Sequence, residues 1–146
     1  MTPNKIIPAK VSPEIYRTIL EIDQKITSAN SLNKELIILV KIYISLLNSC
    51  AFCINYHTEE AMRDKIDLKK LLLLSAFDKV DIYSEEEKLV FEWCKRLTFI
   101  KEYNVKESLI SELSEIFNEK QIADLTYLVG LINFLNRLAT SLEYKV

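Results

Sequence analysis

Apolar residues recur at helical spacing along most of the chain. Ile15, Ile19, Ile22 and Ile26 lie three or four positions apart, as on the buried side of an amphipathic helix. Residues 33–48 include the run LIILVKIYISLL, which is apolar on nearly every side, so we expect this helix to be buried on several sides. Further apolar runs, KLVFEWCKRLTFI and IADLTYLVGLINFLNRLATSL, continue the pattern towards the C-terminus. The pattern predicts a succession of helices.

Polar residues mark where these helices begin. Ser12-Pro13-Glu14 combines a capping hydroxyl, a proline suited to a first turn and an acid near the positive end of the helix dipole. A third helix is expected over residues 50–64, with a fourth after it. Later starts are indicated by Asp67 and by three capping pairs: Ser84 with Glu87, Asn104 with Glu107, and Asn118 with Gln121. We therefore predict about seven helices, preceded by an extended arm at residues 1–11.

The composition excludes a substantial sheet. The chain has one glycine, and its three prolines all fall within the first thirteen residues. Hairpins favour glycine-rich turns and helix interiors exclude proline, so the fold class is predicted to be all-α. With 146 residues, 49% of them hydrophobic, the chain is long enough for one domain, residues 1–146, with a real core.

Charge and hydropathy narrow the functional classes. The 19 basic and 21 acidic residues give a net charge of −2 without a basic stripe, which argues against nucleic-acid binding. The longest apolar runs, such as LIILV and LVGLI, are too short to span a bilayer, so no membrane association is expected. The first residues, MTPNKIIPAKVSPE, do not resemble a secretory signal. We expect a soluble, cytoplasmic protein.

The segment SCAFCINYHTEEA, residues 49–61, concentrates the reactive side chains. It holds two of the three cysteines and the only histidine. Cys53 and His57 are four apart, so their side chains share one helix face, and an imidazole can accept a thiol proton near neutral pH. Cys50 lies one turn earlier, where free N–H groups and the helix dipole stabilise a thiolate. The pair is also close enough to form a disulfide. These features predict a redox centre.

Two other interpretations of this segment stay open at this stage. Thiolates and imidazole are zinc ligands, but a closed zinc site needs four ligands and Cys50, Cys53 and His57 supply three. Cys94 could complete the set only if the fold brought it close, and its position beside Trp93 on an apolar face predicts a core residue instead. Simple packing of the cysteines in a core is the remaining alternative.

The same residues carry a family likeness. The segment NSCAFCINYHTEEA resembles the signature of the carboxymuconolactone decarboxylase / AhpD-like alkylhydroperoxidase family, with its C-x-x-C-x-x-x-H pattern at a helix start. Downstream, YSEEEKLVFEWCKRLT and QIADLTYLVGLINFLNRLA resemble two further blocks, the second containing Asn133, Asn136 and Arg137. The likeness covers about residues 33–142. It implies a compact AhpD-like helical domain with the C-x-x-C at the start of the third helix.

The resemblance also implies roles for the motif residues. Cys53 would be the thiol that attacks peroxide, Cys50 would resolve the resulting sulfenic acid into a disulfide, and His57 would relay protons. Helix-dipole reasoning alone favours Cys50 as the more acidic thiol, whereas the histidine at i+4 favours Cys53. Family members that are decarboxylases do not generally use the cysteine pair, so the pair argues against lactone decarboxylation.

One position departs from the family pattern. Its peroxidases usually carry a glutamate twelve residues before the first cysteine, where this chain has Ile38. Glu35, one turn earlier, and Tyr43 are candidate substitutes, although a solvated acid and a core tyrosine are the simpler interpretations. Without that carboxylate, a weaker peroxidase or a plain dithiol–disulfide reductase becomes credible.

The leading functional prediction is therefore a thiol-dependent peroxidase, or a dithiol–disulfide reductase, acting on small hydroperoxides. No organic cofactor is expected, and by resemblance electrons would come from a thiol or lipoyl-type donor protein. The alternatives are a zinc-binding helical module and a non-catalytic oligomeric family member. The high apolar content predicts a homo-oligomer, a hexamer or trimer by resemblance, with the Cys50–Cys53 pocket near a subunit interface.

Overall fold

The computed structural model describes residues 6–103 and 107–146, and within them the secondary structure is entirely helical. The helices are α1 (Pro8–Val11), α2 (Pro13–Ser28), α3 (Lys34–Leu47), α4 (Ala51–Arg63), α5 (Leu68–Leu73), a 3-10 helix (Leu74–Lys79), α6 (Glu85–Thr98), α7 (Glu107–Ile116) and α8 (Glu119–Ser141). The all-α prediction is confirmed. The motif begins a helix as expected, but this helix is the fourth rather than the third, and the described ranges hold eight α-helices rather than about seven, in part because Pro8–Val11 forms a turn of its own. None of the helices in these two ranges is long and apolar enough to cross a membrane.

The N-terminal segment differs from its prediction. Residues 1–11 were expected to be extended, but Pro8–Val11 forms a single helical turn. Pro8 occupies the first helical position, where its fixed φ suits a helix and its missing N–H costs nothing. The Ser12 N–H donates to the Pro8 carbonyl at 2.9 Å, which closes the turn. Ser12 then precedes α2, but its side chain makes no capping hydrogen bond.

Capping elsewhere follows the sequence signals. The Asn33 side chain accepts from the Leu36 N–H at the start of α3, and Asp67 caps α5 in the same way. The reciprocal capping boxes predicted for Ser84 with Glu87 and for Asn118 with Gln121 are both formed. The capping pair predicted for Asn104 and Glu107 lies outside the residues whose side chains the structure describes.

Helix α3 runs through the middle of the molecule. Its ten consecutive residues from Leu36 to Ser45 are all buried, as its apolar pattern predicts. It packs against α4, α6 and α8, and the main core forms around it with large side chains such as Phe91, Leu128 and Ile132. Helix α3 therefore provides the rigid support from which α4 and the cysteines start.

The chain reverses sharply between α3 and α4. Ser49 has φ 52°, in the left-handed region, and its N–H donates to the Leu46 carbonyl at 3.1 Å. The Cys50 N–H donates to the Ser45 carbonyl at 3.0 Å, which completes a Schellman motif. This motif turns the chain within two residues, so that Cys50 leaves α3 and begins α4. Lys65 and Glu143 occupy the same left-handed position after α4 and α8.

Candidate dithiol site

Cys50 and Cys53 lie at the N-terminus of α4. Cys50 is the N-cap residue, and its sulfur accepts the Cys53 N–H at 3.4 Å. The two Cα atoms are 5.3 Å apart and the two sulfurs are joined as a disulfide. A separation of this size is the ordinary spacing of bridged cysteines. The helix start can therefore hold the pair in its oxidised form.

The cysteine pair is buried, in a small cluster separate from the main core. Cys50 is 3% exposed and Cys53 is 6% exposed, and both pack with Ala139 from α8. The rings of Phe52 and Tyr144 lie against this cluster and meet edge to face, with their centroids 5.2 Å apart. Two aromatic rings therefore pack against the cysteine pair.

Polar side chains fix the turn that presents Cys50. The Asn48 amide donates to the side-chain oxygens of Asn133 at 3.0 Å and of Asn136 at 2.9 Å. The Asn136 amide in turn donates to the Ser45 hydroxyl at 3.1 Å, and Arg137 donates to the Asn133 side chain. These bonds tie the end of α3 to α8. The C-terminal residues that carry the family likeness thus hold the turn in place.

His57 lies one turn after Cys53 on α4 and is 8% exposed. Its Nδ1 is 3.1 Å from Glu60 Oε2. The hydrogen bond from His57 holds the pKa of the Glu60 carboxyl below its usual value, against the opposing effect of burial, and the nearby Lys41 charge adds to it. Because an ionised Glu60 can only accept, the proton of a neutral ring sits on Nδ1, which leaves Nε2 available as a base.

His57 and Glu60 open onto a cleft of about 330 Å³ between α2, α3 and α4. The buried oxygens Asp23 Oδ1 and Thr27 Oγ1, both on residues of its wall, have no hydrogen-bond partner within the described part of the chain. Most of the residues that line the cleft carry polar or charged groups. The cleft is lined by Asp23, Gln24, Thr27, Ser28, Lys41, Tyr56, His57, Glu60 and Arg63.

The residues proposed to replace the usual glutamate have other partners. The Glu35 carboxylate is 2.7 Å from Lys70 Nζ and half exposed. Tyr43 packs against the rings of Phe77 and Phe91 in the main core, and burial raises the pKa of its phenol. Ile38 is also a core residue. The carboxylate that reaches His57 is instead Glu60.

Sequence reasoning missed two residues of this site. Glu60 lies three positions after His57, a spacing that places two side chains together on a helix, and this signal was available in HTEEA. Lys41 is the single charge within LIILVKIYISLL, and a charge inside an otherwise apolar helix indicates a specific partner.

Cys94 belongs to the main core, as predicted. It is a free, fully buried thiol, and burial raises its pKa. It lies in a different cluster from Cys50 and Cys53. Among the side chains that the structure describes, no group of three or more His, Cys, Asp or Glu residues is arranged to hold a metal ion.

Comparison with known proteins places the chain in a family. The model of the carboxymuconolactone decarboxylase family matches residues 13–96. The uncharacterized protein YdfG of Bacillus subtilis (strain 168) is 31% identical over 133 residues, which covers 91% of this chain and 90% of YdfG. The chain belongs to the carboxymuconolactone decarboxylase family.

Comparison with solved structures shows that the fold is AhpD-like. ATU0492 from Agrobacterium tumefaciens, a protein of unknown function provisionally assigned to AhpD-type antioxidant defence, is 28% identical, with a TM-score of 0.91 over 97% of this chain and 96% of its own. A peroxidase-related protein of Silicibacter sp. TM1040 shares the fold at 18% identity, with a TM-score of 0.81 over 90% of this chain and 70% of its own. The AhpD-like fold expected from the motif is confirmed.

Proposed function

We propose that this protein is a thiol-dependent peroxidase in which Cys53 attacks a small hydroperoxide and Cys50 closes the disulfide. The observation that carries the proposal is the arrangement on α4: a cysteine pair that can bridge within one turn, with a His57–Glu60 pair in the next turn. The AhpD-type assignment of ATU0492 supports it. We also expect the protein to work in the cytoplasm, where such a pair would stay reducible.

The first step is oxidation of Cys53. His57 Nε2 takes the Cys53 proton, and the thiolate attacks the outer oxygen of the hydroperoxide. The O–O bond breaks, and the alcohol or water leaves with the bonding electron pair and the proton returned by His57. Cys53 becomes a sulfenic acid, oxidised by two electrons.

The second step closes the disulfide and the third reopens it. The Cys50 thiolate attacks the Cys53 sulfur, hydroxide leaves and takes a proton to become water, and the S–S bond forms. A thiol or lipoyl-type donor protein then returns two electrons and two protons by thiol–disulfide exchange. These steps need no organic cofactor.

Glu60 takes the place of the glutamate that Ile38 replaces. Its carboxylate accepts from His57 Nδ1 at 3.1 Å, which fixes the ring orientation and leaves Nε2 facing away from Glu60. In this proposal the proton relay is contained in α4, and neither Glu35 nor Tyr43 takes part.

Trapping the intermediate tests this function. In Cys50→Ser the sulfenic acid at Cys53 has no resolving thiol, so one equivalent of hydrogen peroxide should leave an adduct with a sulfenic-acid-specific diketone on Cys53 alone. The matched variant Cys53→Ser should give no adduct at Cys50 under the same conditions. Adduct formation in neither variant, with peroxide left unconsumed, would contradict the peroxidase proposal.

The dithiol–disulfide reductase is the second candidate, favoured by the absence of the usual glutamate at Ile38. It uses the same exchange chemistry without the peroxide step. A reduced protein that ignores peroxide but passes electrons to a small disulfide would select it. A protein that purifies with equimolar zinc, or whose motif thiols react with neither oxidant, would select the zinc-binding or the non-catalytic alternative.

We further propose that the protein is a homo-oligomer, a hexamer or trimer. Helix α2 has no buried residue although it carries Ile15, Leu20 and Ile22, and Tyr127 and Phe134 of α8 are also exposed. Apolar surface of this kind on a soluble protein commonly marks a subunit interface. Light scattering behind a sizing column should give a multiple of the 17.0 kDa chain mass. A single-chain mass at micromolar concentration would contradict this.

A further inference from the structure

Lys41 is a buried cation in the most apolar helix of the molecule. Its side chain is 5% exposed, and its neighbours along α3, Val40 and Ile42, are core residues. Lysine is almost never buried unless its charge is paired, because removing an ammonium from water is costly. The partner is Glu60, whose Oε1 lies 3.6 Å from Lys41 Nζ. Lys41 thus reaches the site from a different helix.

The Glu60 carboxylate joins Lys41 to His57. Oε1 faces the lysine, while Oε2 faces His57 Nδ1 at 3.1 Å. The titratable and charged groups that line the cleft together with His57 come from three helices: Asp23 on α2, Lys41 on α3, and Tyr56, Glu60 and Arg63 on α4. Of these, Glu60 is the group in direct contact with the His57 ring nitrogen, and Lys41 is in turn the cation against Glu60.

A partly buried carboxylate beside an imidazole, as Glu60 is beside His57, has two effects. It orients the ring, which helps His57 act as a base, but its negative charge also stabilises the protonated ring, which removes the base. A cation against the other oxygen of the same carboxylate offsets its negative charge and so weakens the stabilisation of the protonated ring. The hydrogen bond that orients the ring is kept. Lys41 is the cation in that position.

We propose that Lys41 is a positioning residue that acts through Glu60 to keep the His57 ring neutral, and so able to accept the Cys53 proton, near neutral pH. The catalytic meaning of this inference rests on the proposed function. Its physical content, the influence of Lys41 on His57, does not depend on peroxide chemistry and can be measured separately.

The single histidine makes the test direct. Because the chain has one histidine, its ring proton resonances can be followed by NMR against pH without assignment. In Lys41→Met the titration midpoint should move upward by about 0.5–1 pH unit relative to the wild type. In Glu60→Gln it should move downward, since the negative charge is removed. Lys41→Arg, which keeps the cation, should stay near the wild type.

A matched control comes from the same helix. Lys34, the first residue of α3, pairs with Asp64 and its side chain is 73% exposed, so Lys34→Met makes the same change of charge away from the site. Its midpoint should stay within about 0.2 pH unit of the wild type, as expected for a screened surface charge. A Lys41→Met midpoint equal to that of Lys34→Met would overturn the inference.

A double variant tests whether Lys41 acts through Glu60. With Glu60→Gln already present, Lys41→Met should shift the midpoint by less than half as much as it does alone. An undiminished shift would mean that Lys41 acts on the ring directly, and would overturn the proposed route. Lys41→Gln serves as a second neutral variant should Lys41→Met not fold.

Reaction kinetics separate this inference from the proposed function. The pH of half-maximal Cys53 oxidation should rise in Lys41→Met by the same amount as the NMR midpoint. A shifted midpoint in a protein that never reacts with peroxide supports the action of Lys41 on His57 and contradicts the peroxidase proposal. An unshifted midpoint in an active peroxidase contradicts the action of Lys41 on His57 and supports the peroxidase proposal.

Discussion

Cys53 and Cys94 are both buried thiols, but they lie in very different surroundings. Cys94 sits within α6 in the main core, where burial raises its pKa and keeps the thiol protonated. Cys53 lies in the first turn of α4, in a small cluster with Cys50 and Ala139, and His57 follows one turn later. Both are less than a tenth exposed, so burial alone does not distinguish them. Helix position and neighbouring groups are what separate a reactive thiol from an inert one.

The largest expected effect comes from replacing Cys53 and Cys94 one at a time. Cys53→Ser should reduce peroxide consumption to the uncatalysed background, because the attacking sulfur is lost. Cys94→Ala should keep the rate within about twofold of the wild type while lowering the free energy of unfolding by about 1–2 kcal/mol, the cost of a small core cavity. Stopped-flow peroxide assays and denaturant titrations measure the two quantities. An equal loss of activity in both variants would contradict the proposed difference in reactivity between Cys53 and Cys94.

The next largest effect is expected from removing His57, the proposed base. His57→Ala should slow oxidation of Cys53 about 10²–10⁴-fold, the usual cost of losing a positioned acid–base group, while the helix content stays unchanged. Pre-steady-state peroxide kinetics and circular dichroism together check this. An unchanged rate would reduce His57 to a structural residue.

The contact between Glu60 and His57 should also give the stability of the protein a pH dependence. Because the folded-state pKa of Glu60 is lowered, its contribution is fully present above the unfolded value of about 4.3 and is lost as the pH falls through the folded value. The stability difference between the wild type and Glu60→Gln should therefore shrink as the pH falls below about 4, where the carboxylate gains its proton. Urea unfolding at each pH measures it, and a difference independent of pH would contradict the assignment.

The smallest expected effect is on the free energy of unfolding, at the turn that precedes Cys50. Ser49 and Lys65 occupy equivalent left-handed positions after α3 and α4. Replacement of either by glycine relieves the Cβ strain, so each should raise the free energy of unfolding by about 0.5–1 kcal/mol. Thermal unfolding compares the pair. A gain at Lys65 with a loss at Ser49 would indicate that the Ser49 side chain supports the dithiol turn.

The fold could be read from the sequence to a large extent because its signals are local. The capping residues Asp67, Ser84 and Asn118 and the apolar run of α3 each specify an element within a few positions. The turn at Pro8–Val11 was missed because a four-residue helix has no periodicity to detect. Residues 1–11 are predicted to be an extended arm, whereas Pro8 starts a helical turn within them.

The candidate site was less accessible to sequence reasoning. The motif places Cys50, Cys53 and His57 on one helix, but the family position of the carboxylate falls on Ile38 and points to Glu35, which pairs with Lys70 instead. The spacing of three residues between His57 and Glu60 is enough to predict their contact on one helix. The contact between Lys41 and Glu60 exists because α3 packs against α4. Contacts between helices depend on crossing geometry, which the pattern of one chain does not contain.

The most direct test of the account is where peroxide oxidises the reduced protein. After treatment with one equivalent of hydrogen peroxide and rapid alkylation, peptide mass spectrometry under denaturing conditions reports the state of each thiol. The account predicts that Cys50 and Cys53 are recovered as one intramolecular disulfide while Cys94 is fully alkylated. Recovery of all three as alkylated thiols would contradict it, as would a disulfide that includes Cys94.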